Sequence, residues 1–199
     1  MKQFEEMKFD IPELVGISQK SIEEHLKLYA GYVKGANTVG MKLGEMVAED
    51  SNKFAYALTE VNRRFSFEFN GMRNHEVYFK SFEGGSTALT TGGALEKAIS
   101  ETWGSWDAWM KMFSMMALTR GVGWAMLSWD RKDKRLLFHW VDEQHLGQLN
   151  GCDTILALDM WEHSFVFDYQ PSGKKNYVDD FFKNVNWSVI EDNFAKATE

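Results

Sequence analysis

Residues 156–169 read LALDMWEHSFVFDY. An apolar run ends in Asp159 and is followed at once by Trp161, Glu162 and His163. A buried strand that stops at Asp159 delivers an acid and an imidazole to one end of a sheet. Two chemistries fit that end. The polar pair supports structure there, or Asp159 and His163 hold an ion that takes both an oxygen and a nitrogen donor.

The flanking segments set the strand in a small sheet. GVGWAMLSWD (121–130), the charged turn RKDKR and LLFHWVD (136–142) pattern as a β-hairpin, and TILALDM (154–160) supplies a third strand after a loop holding Gly147, Asn150 and Gly151. Before the hairpin, 94–102 and 105–119 are expected to be helical, with Trp106, Trp109, Met110, Phe113 and Met116 forming one apolar stripe. After the third strand, helices are expected at 162–169, 174–184 and 187–197.

The N-terminal half has helical periodicity throughout. Residues 18–48 open with Ser18 and Ser21, either of which is a candidate cap, and continue without proline. Residues 53–82 place Phe54, Leu58, Val61 and Phe65 on one helical face. Two long helices with a short link predict a helical hairpin. EGGSTALTTGG (83–93) is the only Gly/Ser/Thr-rich stretch, so the boundary is placed there. The expected class is α+β: an N-terminal helical hairpin domain, 1–88, then a C-terminal domain, 89–199, with a three-stranded antiparallel sheet packed by helices. No internal repeat or low-complexity tract is present.

Composition narrows the function classes. The 199 residues are 44% hydrophobic and 15% aromatic, ample for a packed core. A net charge of −7 gives the molecule no global attraction to nucleic acid or an anionic membrane. The single cysteine, Cys152, excludes an intrachain disulfide framework and suits a reducing compartment. The opening MKQFEEMKFD lacks an apolar export core, and nowhere do eighteen apolar residues run together. The expectation is a cytoplasmic protein with neither a nucleic-acid nor a membrane partner.

Five histidines are present: His25, His75, His139, His145 and His163. His25 falls on the first helix, His75 on the second and His163 beside Asp159. A site drawing on all three segments would join the two halves. Three imidazoles with one carboxylate suit iron, manganese or zinc and suit magnesium or calcium poorly. Against this, a lone helical His is usually just a satisfied or exposed one, and D-x-x-x-H spacing recurs by chance. Spacing alone therefore gives a candidate metal site and no more.

The motifs add to that. DMWEHSFVFDY (159–169) resembles the D-V-W-E-H-A-Y-Y-L-x-Y signature of the iron/manganese superoxide dismutases. In order along the chain, YVKGAN (32–37) fits that family's first helix and GMRNHEVYF (71–79) is similar to its G-x-x-N-H-x-x-x-W/F. ETWGSWDAWMKMFSMMA (101–117) is similar to F-G-S-F-D-x-F-K-x-x-F-x-x-A, GVGWAMLSWD to G-S-G-W-x-W-L, and FFKNVNW (181–187) to F-W-N-V-V-N-W. The resemblance spans roughly 17–195. It implies disproportionation of superoxide to dioxygen and hydrogen peroxide at one iron or manganese ion per chain, with no organic cofactor.

By the same resemblance His75, Asp159 and His163 are metal ligands. Counting forward from ISQKSIEEH, the first-helix ligand is His25; counting back from YVKGAN, it is Glu24, because this chain is one residue shorter between the two anchors. His25 is preferred, since a missing one-residue helix bulge need not turn it from the metal. Tyr29 and Tyr32 take the family's gateway His and Tyr positions, and Val166 stands where a partner-subunit Tyr is expected. Gly71 leaves no second-helix amide for the metal's solvent. The donor is then expected from DEQHL (142–146), with Gln144 chosen over Glu143 and His145. Trp124 and Trp161 match tryptophans lining the family's site. Lys174 matches an Arg near the substrate funnel, and Glu162 a residue that reaches the partner's His163, implying a homodimer or homotetramer. The altered gateway pair keeps open an alternative: a structural or binding module on the same fold with an altered site.

Overall fold

The computed structural model describes residues 2–199. Residues 2–17 form no helix or strand and lead into α1, Gln19–Asp50. Ser18 is the cap: its Oγ accepts from the Ser21 amide at 3.1 Å, satisfying one of the donors that a helix start leaves free. Ser21 is buried inside the first turn. α1 runs for 32 residues as unbroken α-helix and returns through a short turn into α2, Ala55–Lys80. The stripe Phe54, Leu58, Val61 and Phe65 is half-buried, as expected for one face of a two-helix hairpin.

α3, Ala94–Trp103, and α4, Trp106–Ala117, follow, with the Ser105 hydroxyl capping α4. The apolar stripe of α4 turns inward, and Trp109 and Phe113 are fully buried. Three antiparallel strands come next: β1, Gly123–Asp130, β2, Arg135–Asp142, and β3, Cys152–Asp159, in the order β2-β1-β3. The central strand β1 is buried continuously over Gly123–Ser128, so its sequence is a near-continuous apolar run instead of an alternating one. Two helices close the chain: α5, Lys174–Asn184, and α6, Trp187–Thr198.

The helix expected at 162–169 does not form. Glu162–Ser164 makes a single 3-10 turn, and the rest is a series of turns. Phe165 leaves helical geometry at φ −139° and buries its ring against Tyr177, 5.5 Å between centroids. Ser164 Oγ donates to the carbonyls of Asp159 and Trp161 at 3.0 and 2.7 Å, folding the chain back on the strand end. That tight return puts His163 beside Asp159.

Asn184, at the end of α5, fastens the N-terminal segment. Its amide nitrogen donates to the Val15 and Asp180 carbonyls, and its oxygen accepts from the Val15 amide, each within 2.8 Å. Replacing it with alanine removes three part-buried hydrogen bonds, and Asn184→Ala is expected to lower stability by about 2 kcal/mol in urea denaturation of the metal-free chain. A loss below about 0.5 kcal/mol would mean that water replaces the amide.

Candidate metal centre

Helix spacing decides what α1 offers. His25, Tyr29 and Tyr32, four and three residues apart on an unbroken helix, share its inner face. Glu24, about 100° around the helix, is exposed and paired with Lys27 at 2.7 Å. α2 supplies His75, the end of β3 supplies Asp159, and the 3-10 turn supplies His163. One ligand atom from each of His25, His75, Asp159 and His163 lies within 4.8 Å of the other three. Asp159 Oδ2 stands 3.1 Å from His25 Nε2, 3.2 Å from His163 Nε2 and 3.5 Å from His75 Nε2. Its other oxygen accepts from the Trp161 amide at 2.8 Å. Among the described residues no other group of three or more such side chains gathers this way; His139 bonds Ser128 instead, at 3.1 Å.

His25, His75 and Asp159 are buried, and the His163 side chain is 21% exposed. Burial pushes the Asp159 carboxyl up, but the imidazoles of His163 and His25 more than offset this and hold it below the ordinary carboxylate range. Burial lowers His25 despite its bond to Asp159. Burial, and then the charge of His25, carry His75 down to about 3. Neutral imidazoles and an ionised carboxylate are the states that ligate metals. His75 Nδ1 donates to the Gly71 carbonyl at 2.6 Å, so Nε2 carries the lone pair. That Nε2 is buried and has no hydrogen-bond partner. An unpaired buried acceptor facing a carboxylate and two more imidazoles is the arrangement a bound cation would complete, so these residues fit a single transition ion.

Gln144 lies next to the cluster. Its Oε1 accepts from Trp124 Nε1 at 2.9 Å and its Nε2 donates to the Tyr32 hydroxyl at 2.8 Å. Asn74 Nδ2 holds the Gln144 carbonyl at 3.0 Å, tying the loop to α2. Glu143 is exposed at φ 51°, with its carbonyl accepting from Trp161 Nε1 at 3.1 Å. His145 packs edge-on against Phe67. Of the three loop candidates, only Gln144 bonds Tyr32 and Trp124. Gly71 is explained by the same packing: a Cβ there would stand 2.5–2.9 Å from three Tyr32 ring carbons. The Tyr32 ring occupies that space, 5.0 Å from the His75 ring, and burial raises its phenol so that it keeps its proton. Trp161 stacks on His163 and Trp124 meets His75 edge-on at 4.9 Å.

Tyr29 departs from its expected place. Its buried hydroxyl accepts from the Met7 amide at 2.9 Å and donates to Glu76 at 3.3 Å, and Glu76 is held by Arg73 at 2.7 Å. Burial pushes this phenol up to about 12. Tyr29 is therefore committed to the N-terminal segment instead of joining Tyr32 and Gln144. The resemblance that assigned Tyr29 to the gateway carried no information about the segment packed over it. Asn74 was missed although it sits inside the GMRNHEVYF stretch, and Glu76 gave no signal beyond being an acid on a helix. Glu162 and Val166 are exposed, and Lys174 donates to the Thr119 carbonyl at 3.0 Å.

Three imidazoles and one carboxylate, buried where a helical hairpin meets the end of an antiparallel sheet, define a candidate mononuclear metalloprotein. Comparison with known proteins narrows the class. Residues 91–193 match the family of iron/manganese superoxide dismutases, C-terminal domain. A relative named superoxide dismutase [Fe] from Cupriavidus metallidurans is 36% identical over 189 residues, covering 93% of this chain and 92% of its own length. Relatives named superoxide dismutase [Mn] from Mycobacterium leprae and superoxide dismutase [Fe] from Mycobacterium tuberculosis are each 35% identical over 87% of this chain and 82% of their own lengths. The chain belongs to the iron/manganese superoxide dismutase family.

The depressed imidazoles make metal-free stability depend on pH. Below the unfolded value of about 6.5 the unfolded chain protonates His75, while the folded chain does not until about 3. The unfolded state thus binds more protons across that window, and stability falls as pH drops through it. Chemical denaturation of the metal-free protein at several pH values is expected to show this slope, and His75→Gln to reduce it.

Proposed function

We propose that this chain is a superoxide dismutase in which His25, His75, Asp159 and His163 hold one iron or manganese ion. The observation that carries this is the convergence of those four donors, with His75 Nε2 buried and unpaired among them. His25, His75, Asp159 and His163 would hold the ion, which would supply the one-electron redox couple that superoxide disproportionation needs.

The chain's own residues do the rest. Asp159 brings negative charge to the ion, and the Trp161 amide fixes its carboxylate through Oδ1. The Gly71 carbonyl and the stacked Trp161 ring orient His75 and His163. Trp124 and Trp161 limit water around the donors. Peroxide formation needs two protons. Gln144 Nε2 and the Tyr32 hydroxyl form the polar pair able to pass them inward, with the proton held at Tyr32 Oη. Lys174 provides a cation for an anionic substrate.

The same reading extends to assembly and setting. Glu162 is exposed beside a His163 that is partly open, which suits contact with the partner's His163 in a homodimer or homotetramer. Val166 at 46% and Phe167 at 51% exposure add apolar surface there. The site would lie where units 1–88 and 89–199 meet. Among the described residues no helix is long and apolar enough to cross a membrane. An antioxidant role in a reducing cytoplasm, which a single cysteine suits, is part of the same proposal.

Loading metal-free protein separately with iron and manganese, and measuring superoxide disproportionation, tests the function. Activity with either metal is expected; stoichiometric binding of both without activity would contradict it. Tyr32→Phe is expected to bind metal as before and to slow turnover several-fold. Unchanged turnover would remove Tyr32 from the proton path.

A further inference from the structure

We propose that residues 4–11 form a clasp across the α1–α2 hairpin that governs how fast the bound ion exchanges. This rests on the metal site proposed above. His25 rides on α1 and His75 on α2, both almost wholly buried. An ion held by both leaves readily only when those helices part, and the clasp ties them together.

Its inward residues, Phe4, Met7, Phe9 and Ile11, are half-buried, while Lys2, Glu5, Glu6 and Lys8 face out. On the α1 side, Asn37 makes a reciprocal pair with the Phe4 backbone: Phe4 N donates to Oδ1 at 2.8 Å and Nδ2 donates to Phe4 O at 2.9 Å. The Met7 amide donates to the Tyr29 hydroxyl, which in turn reaches Glu76 on α2. On the α2 side, the Phe4 ring meets Phe69 at 5.7 Å, and the Asp10 carbonyl accepts from the Gly84 amide just past the helix at 3.1 Å. Phe9 packs on both Tyr29 and Phe79, and Phe79 meets the His25 ring at 4.9 Å. A single ring thus separates the clasp from a metal donor.

The clasp has no helix or strand of its own, so it is the part of this wall that can open without unfolding either helix. The competing route for the ion is past the half-buried Tyr32 and the partly exposed His163.

The test is release of manganese from the loaded protein into excess EDTA, followed as protein-bound metal by atomic emission. Asn37→Ala removes both hydrogen bonds to Phe4 and is expected to speed release about tenfold. Deletion of residues 2–8 is expected to speed it further, and Glu5→Gln, on the outward face, to leave it unchanged. Amide hydrogen exchange at Met7 and Gly84 is expected to open at the rate of metal release. If the deletion does not fold, Asn37→Ala and Phe4→Ala decide. Release at the wild-type rate in those variants would overturn the clasp and place the exit past Tyr32. A wild-type chain that holds neither manganese nor iron after loading would overturn the metal site itself, and the clasp with it; if only iron is held, its release is followed in the same way.

Discussion

The docking of the helical hairpin on the sheet turns on one buried carboxylate. Asp159 ends the strand β3 with no exposure to water, and a lone ionised group there would be strongly disfavoured. The imidazoles of His163 and His25 on Oδ2, and the Trp161 amide on Oδ1, are what hold it ionised, and His75 Nε2 faces the same oxygen at 3.5 Å. Those partners come from α1, α2 and the turn after β3, so meeting the demand of one side chain fixes how the hairpin docks on the sheet. The same arrangement leaves His75 Nε2 without a partner, a deficit that a cation removes.

Around that centre, a few steric facts exclude alternatives. The Tyr32 ring lies where any side chain at residue 71 would have to go. No side chain reaches in from residue 71, and the loop residue Gln144 stands next to Tyr32 instead, braced by Trp124 and Asn74. The Gly71 carbonyl meanwhile sets the tautomer of His75. One glycine therefore seats Tyr32 with its missing side chain and His75 with its backbone.

Much of this was legible in the sequence, because strand and helix periodicities are strong where one face is buried. The hairpin of β1 and β2, the stripe of α4 and the extent of α5 follow from apolar spacing alone. The D-x-W-E-H element carried three of the site positions in a single stretch. Two features that the sequence did not reveal have the same cause. Phe165 completes a helical apolar pattern, yet its ring is buried by leaving the helix. Tyr29 has the spacing of a site residue, yet its hydroxyl is taken by Met7, twenty-two residues earlier. Local spacing reports which face a residue occupies and says nothing about a distant segment laid over that face. That Glu24 faces out while His25 faces in likewise depends on α1 running unbroken.

The central claim is that four named side chains hold one ion. Anomalous diffraction from crystals of the manganese-loaded protein tests it directly. The account predicts one strong peak per chain, bonded at about 2.0–2.2 Å to Nε2 of His25, His75 and His163 and to one oxygen of Asp159. A peak on Glu24, or an ion held outside these four residues, would contradict it.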